Sequence, residues 1–181
     1  MRTLVLGGIR SGKSRWAEEA IAEALAPDAA VCYLAPGPAG QSDAAWAQRV
    51  AAHRDRRPAH WSTVETADIA THLRQSPGIP TLVDDIGAWL TGALDHHHAW
   101  DDSAAASVQQ TVDDMLSAVG TFGSTLVVVS PEVGLTVVPA TASGRRFADE
   151  LGALNQRLAA LCDRVVLVVA GQAVPIKPPG A

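Results

Sequence analysis

The stretch GGIRSGKS (7–14) satisfies the pattern G-x-x-x-x-G-K-[ST], with the apolar run TLVL (3–6) directly before it and a helix-like stretch directly after it. No other feature of the chain constrains its fold as tightly. Glycines let a backbone wrap closely round a phosphate, a helix N-terminus supplies N–H donors, and a lysine at this position supplies charge. Gly7, Gly8, Ile9, Arg10, Ser11, Gly12, Lys13 and Ser14 are therefore candidate nucleotide-binding residues, with Lys13 the candidate catalytic cation and Ser14 the candidate ligand of an accompanying Mg2+. The chain has only two lysines, and one of them is here.

The remaining pattern alternates apolar runs with helical stretches. Strands are expected at 3–6, 30–35, 61–65, 81–85, 125–130 and 164–171. Helices are expected at 13–25, 67–75, from 86 to about 94, at 104–119 and at 145–162. A further helix is expected from Asp43, a good N-cap, to just before Pro58. DHHHAWDDS, beginning at Asp95 and holding His96, His97 and His98, is expected as a solvated loop, and PPGA as a tail. Continuous apolar strands separated by helices predict an α/β fold, a mostly parallel sheet with helices on both faces. With 181 residues and no internal repeat or linker, one domain spanning 1–181 is expected.

Charge sharpens the functional reading. The formal net charge of −5 argues against broad, sequence-independent nucleic-acid binding. Cys32 and Cys162 form no disulfide framework and are expected to be buried, inert thiols. No window approaches the ~20 apolar residues of a membrane span, and the N-terminal apolar run is short for a signal peptide. A cytoplasmic protein is expected.

Against this acidic background RVAAHRDRRPAHW (49–61) is anomalous, because Arg49, Arg54, Arg56 and Arg57 surround His53. On a helix Trp46, Val50, His53 and Arg57 share a face. A histidine on such a face is commonly a core residue. Guanidinium groups close by, however, disfavour the imidazolium, leave His53 in its neutral, nucleophilic form and bind the phosphates it would attack. A P-loop also needs a carboxylate at the end of a nearby strand. TLVDD supplies Asp84, the candidate metal-proximal residue, and Asp85, expected to cap the next helix. Glu132, after the strand VVVS, is a candidate substrate contact, and Arg145 and Arg146 could meet phosphate or a neighbouring subunit.

GGIRSGKS, HRDRRPAHW followed by TVE, VDDIGAWL, SPEVGLTVVP, GRRFADELGALNQRLA and the C-terminal VVLVVAG…IK occur in order over nearly the whole chain. In this set the sequence resembles the bifunctional adenosylcobinamide kinase / adenosylcobinamide-phosphate guanylyltransferases of cobalamin biosynthesis. It departs from their usual pattern at Pro36, Gly92, Pro131 and Thr136, where threonine, asparagine, asparagine and glycine are usual.

The resemblance implies a P-loop domain of the RecA-like branch, homotrimeric, with GTP and ATP as substrates, Mg2+ as cofactor and a corrinoid as acceptor. It also implies that His53 becomes guanylylated, that Arg54, Asp55, Arg56, Arg57 and Glu65 help to bind the guanine nucleotide, and that Asp84 is the acid at the strand end. Two rival readings remain at this point: a P-loop small-molecule kinase in which His53 is structural, and a GTP-binding regulatory module.

Overall fold

A computed structural model describes residues 1–37, 57–101 and 104–180. Its centre is a seven-stranded sheet in the order β3-β2-β4-β5-β1-β6-β7. The strands are β1 (Arg2–Gly7), β2 (Cys32–Ala35), β3 (Ser62–Glu65), β4 (Thr81–Asp84), β5 (Leu126–Pro131), β6 (Arg164–Val169) and β7 (Gln172–Lys177). The first six are mutually parallel and β7 alone runs antiparallel, against β6. Five described helices accompany them: α1 (Lys13–Glu23), α2 (Ile69–Gln75), α3 (Ile86–His96), α4 (Ala105–Thr121) and α5 (Ala142–Leu161).

Successive strand residues point to opposite faces, so each apolar strand feeds two cores. Leu4, Val83, Val128 and Val165 pack with α2–α5 on one face. Val5, Tyr33, Leu82, Val127, Val129 and Val166 pack with Ala17 and Ile21 of α1 on the other. This two-sided burial is why the strands read as unbroken apolar runs. Truncating a fully buried side chain such as Ile21 to alanine would cost about 2–5 kcal/mol.

The parallel register brings several strand ends to one edge. Gly7 of β1 lies opposite Pro131 of β5, and Asp84 of β4 lies opposite Val129. β5 stands between β4 and β1, so the glycine loop and the strand-end acids follow strands separated by a single intervening strand. A buried polar clip fixes the end of β5: Ser130 Oγ donates to Asn155 Oδ1 at 2.6 Å, and Asn155 Nδ2 donates to the Pro131 carbonyl at 3.0 Å.

Two sequence expectations need correction. The polar loop expected at 95–103 begins as helix, since α3 continues through His96 and ends on His97. The His97 ring meets Thr111 Oγ1 at 3.0 Å, tying this end of α3 to α4. Secondly, 172–177 was not expected as a strand. Its alternation is interrupted by Pro175, which this position tolerates because β7 is an edge strand with a register irregularity beside it. Ala170 and Gly171, at φ 50° and 77°, form the two-residue turn that this hairpin requires.

The helix expected over 43–57 lies, up to residue 56, outside the described residues. Both cysteines are buried, free thiols, as expected. Burial raises the pKa of Cys32 and pushes that of Cys162 up to about 12. No helix among the described residues is long and apolar enough to cross a membrane.

Candidate nucleotide site at the carboxyl edge of the sheet

The glycine loop leaves β1 at Gly7 and enters α1 at Lys13. Arg10 and Gly12 take left-handed backbone at φ 57° and 92°. Gly12 is the N-cap of α1 and no side chain caps it, so the first N–H groups of the helix face the loop without an internal acceptor. Ile9 stands at the exposed apex. The Lys13 ammonium lies 3.4 Å from the Gly8 carbonyl, folded back over the loop it serves.

Close packing explains the glycines at the two ends. A Cβ on Gly7 would meet Ser11 Oγ at 2.5 Å and the Val168 carbonyl at 2.8 Å. At Gly12, a Cβ would come within 3.2 Å of Gly171 Cα. Gly171 also donates its N–H to the Ser11 carbonyl at 2.7 Å, so the β6–β7 turn braces the loop from outside. On the other flank, the Glu132 N–H donates to the Gly7 carbonyl at 3.1 Å. Ser11 Oγ is buried without a hydrogen-bond partner.

The second half of the site is made by side chains. Asp84, the last residue of β4, accepts a 2.7 Å hydrogen bond from the Tyr33 hydroxyl. Burial first, then the Asp84 charge, raises the Tyr33 pKa, so the phenol stays protonated and donating. Arg57 lies over the Tyr33 ring at 3.8 Å from its centroid and donates to Thr63 Oγ1 at 2.9 Å.

Asp85 caps α3, accepting from the Ala88 N–H at 2.8 Å, as its sequence position suggests. Its pKa is raised, chiefly by burial and then by the Asp84 charge, while the Ala88 N–H, Lys13 and the Gly87 N–H oppose the shift. Asp85 thus feels both Asp84 and Lys13 across the edge. The departure at Pro131 also falls here: its ring would stand 2.7 Å from a Cβ on Gly87, a position open only to glycine.

Of the sequence-predicted residues, Gly7 to Ser14 and Asp84 gather at this edge, and Arg57 reaches it through Tyr33. Glu65 ends β3, exposed and opposite Ala35. His53, Arg54, Asp55 and Arg56 lie outside the described residues. The Glu132 carboxylate turns back to accept from the Gly134 N–H at 2.6 Å. Arg145 closes its own loop by donating to the Pro139 and Ala140 carbonyls at 3.0 and 2.8 Å. Arg146 pairs with Glu150 along α5. Tyr33 and Gly171 were not foreseen; only knowledge of strand register or of the β6–β7 turn could have found them.

The fold and the family agree with this geometry. The chain superposes on a prototypical ATPase from the type III secretion system of pathogenic bacteria with a TM-score of 0.53, at 12% identity, covering 96% of this chain and 56% of that one. At that identity the likeness concerns the fold, an α/β P-loop domain of RecA-like form. In sequence the chain is 41% identical to the bifunctional adenosylcobalamin biosynthesis protein CobP of Pseudomonas aeruginosa, covering 98% of each chain. It is 38% identical to the corresponding CobU protein of Salmonella typhimurium, over 98% of this chain and all of that one. The CobU protein of Escherichia coli is 34% identical over the same shares. Residues 3–176 match the family described as cobinamide kinase / cobinamide phosphate guanyltransferase, and the chain belongs to that family.

Proposed function

We propose that this chain phosphorylates adenosylcobinamide and then transfers GMP from GTP to adenosylcobinamide phosphate, through a guanylylated His53, giving adenosylcobinamide-GDP in cobalamin biosynthesis. Family membership supports the two activities. One observation supports placing both at a single site. Arg57, the described end of the basic run that holds His53, rests on Tyr33, and Tyr33 is bonded to the strand-end acid beside the glycine loop.

In the kinase reaction the acceptor hydroxyl attacks the γ-phosphorus of ATP or GTP, forming a P–O bond as the bond to the β-phosphate oxygen breaks. Lys13 and the uncapped N–H groups of α1 stabilise the spreading phosphate charge, and positioning supplies most of the rest. In the transferase reaction the His53 imidazole attacks the α-phosphorus of GTP, forming a P–N bond and expelling pyrophosphate. A phosphate oxygen of adenosylcobinamide phosphate then displaces the imidazole. Two easier displacements replace one difficult one. Arg54, Arg56 and Arg57 hold phosphate, and Asp55 and Glu65 help to bind the guanine nucleotide.

The donors fit a magnesium ion that arrives with the nucleotide. Ser14 and Asp84 offer hard oxygens, and among the described residues no three His, Cys, Asp or Glu side chains form a cage of their own. Such an ion would keep phosphate and water as its other ligands, and when bound it neutralises charge on the phosphate oxygens. We further propose a cytoplasmic homotrimer, for which light scattering on purified protein is the test.

GTP labelled in its α-phosphate should leave label on the protein, on a peptide within 49–61, whereas γ-label should not stay by this route. The bond should be acid-labile and base-stable, because protonation makes imidazole a good leaving group. His53→Asn should lose labelling and transferase activity and keep kinase activity. A fully transferase-active protein that never carries α-label would overturn the covalent route.

A further inference from the structure

The sheet order sets β2 between β3 and β4, and the parallel register sets Tyr33 opposite Thr63 on one side and Leu82 on the other. Asp84, two residues beyond Leu82, points to the same face as Leu82, because strand side chains alternate. Tyr33 shares that face, packing with Leu82 and Val5, and is only 5% exposed. A long aromatic side chain here can therefore reach diagonally along the sheet to the last residue of β4, and the 2.7 Å bond to Asp84 Oδ2 shows that it does. On the other side Arg57 bonds to Thr63 and covers the Tyr33 ring.

We infer that Tyr33 is a positioning residue that holds the two halves of the site in one register. Its hydroxyl orients the Asp84 carboxylate and its ring seats the Arg57 guanidinium. The buried body of the side chain makes this a rigid joint, since its remaining contacts are core contacts. With Oδ2 committed to the phenol, Asp84 keeps its other oxygen for a ligand of the site. The guanidinium, seated over the ring at 3.8 Å from its centroid, is held in place to offer its fork of donors to phosphate. This inference rests on the functional reading above, because it assigns Arg57 to the nucleotide and Asp84 to the metal-bearing side.

Two variants separate the two tasks. Tyr33→Phe keeps the ring and its volume and removes only the hydroxyl, whereas Tyr33→Leu removes the seat for Arg57 as well. GTP binding is measured by calorimetry with excess magnesium and again in EDTA, after circular dichroism and thermal melts confirm a folded chain. In Tyr33→Phe the affinity in EDTA should be unchanged, and the gain on adding magnesium should shrink by about tenfold, the scale of one lost hydrogen bond to a charged group. In Tyr33→Leu the affinity in EDTA should fall too. There Arg57→Ala should weaken binding far less than it does in the native background.

Tyr33→Phe with the full magnesium-linked gain would overturn the hydroxyl's task. Equal effects of Arg57→Ala in both backgrounds would overturn the ring's task. If the native protein binds GTP and takes α-label while the variants match it in every respect, the inference fails and the functional reading stands. If the native protein binds no GTP, both fall.

Discussion

The two halves of the site are built from different materials. The glycine loop is a backbone structure: its donors are peptide N–H groups, its shape comes from left-handed residues at Arg10 and Gly12, and its braces are the Gly171 and Glu132 N–H groups. The corner opposite is a side-chain structure, in which Tyr33, Arg57, Thr63 and Asp84 meet from three different strands and the segment before β3. A backbone site tolerates almost any side chain that points away and almost none that points in. A side-chain site depends on the individual groups and on the register that brings them together. The loop should therefore fail abruptly when its space is filled, and the corner should decline by increments as single groups are removed.

The largest effect should come from Lys13→Ala, which removes the lysine charge that the backbone half sets over its own loop. Both reactions should fall by at least about 10²–10³-fold in single-turnover assays, since one loop serves every nucleotide. Normal guanylylation by this variant would show that the GTP phosphates do not sit on the loop.

Next in size is Gly12→Val. The new residue must hold φ near 92° with its Cβ about as close to Gly171 Cα as 3.2 Å. Left-handed backbone alone costs roughly 1–2 kcal/mol for a residue with a side chain, and β-branching adds to it. Affinity for ATP and GTP, measured by calorimetry, should drop together and by more than about tenfold. A loss confined to one nucleotide would mean that the loop is not their common seat.

The same contrast explains what the sequence could disclose. Gly7, Gly12, Lys13 and Ser14 are legible as a local pattern because a backbone cradle is specified within eight consecutive residues. Asp84 and Asp85 were placed in their distinct positions because a strand end followed by a helix start is also a local event. Tyr33 was invisible: its partners are 51 residues away at Asp84 and 30 at Thr63, and only the β3-β2-β4 order aligns them. Gly171 was missed with β7, since Pro175 and an exposed face removed the alternation that marks a strand. Five of the six parallel strands were legible because burial on both faces leaves few polar residues to interrupt the run, whereas β3, largely exposed, showed only as a short stretch with two β-branched residues.

Arg57→Lys tests the corner with a smaller perturbation. Lysine keeps the charge but has no planar group to lie on Tyr33, so GTP affinity should fall several-fold, on the scale of about 1 kcal/mol for a cation–π contact. ATP use in the kinase reaction should change less. Equal affinity for GTP in the lysine variant would show that charge alone matters at this position.

The smallest effect concerns the residue where the two halves touch. Asp85 feels Asp84 from one side and Lys13 from the other, and its folded pKa is raised because burial and the like charge outweigh the opposing N–H groups and Lys13. A raised carboxyl pKa means that the folded chain binds the proton more tightly than the unfolded chain does. This contribution to stability is fully present below the unfolded value of 3.8, is lost as pH rises from there through the folded value, and stays lost above it. Asparagine caps a helix as well as aspartate does, so Asp85→Asn keeps the acceptor for the Ala88 N–H and removes the ionisation. Its urea midpoint relative to the native protein should therefore rise with pH across that window and then level off, with the m-value unchanged. Asp85→Ala, which loses the cap, should instead be less stable by about 1 kcal/mol. A native protein that gains stability over Asp85→Asn as pH rises would mean that Lys13 outweighs burial and Asp84. Asp85 would then act with the phosphate loop and not with the corner.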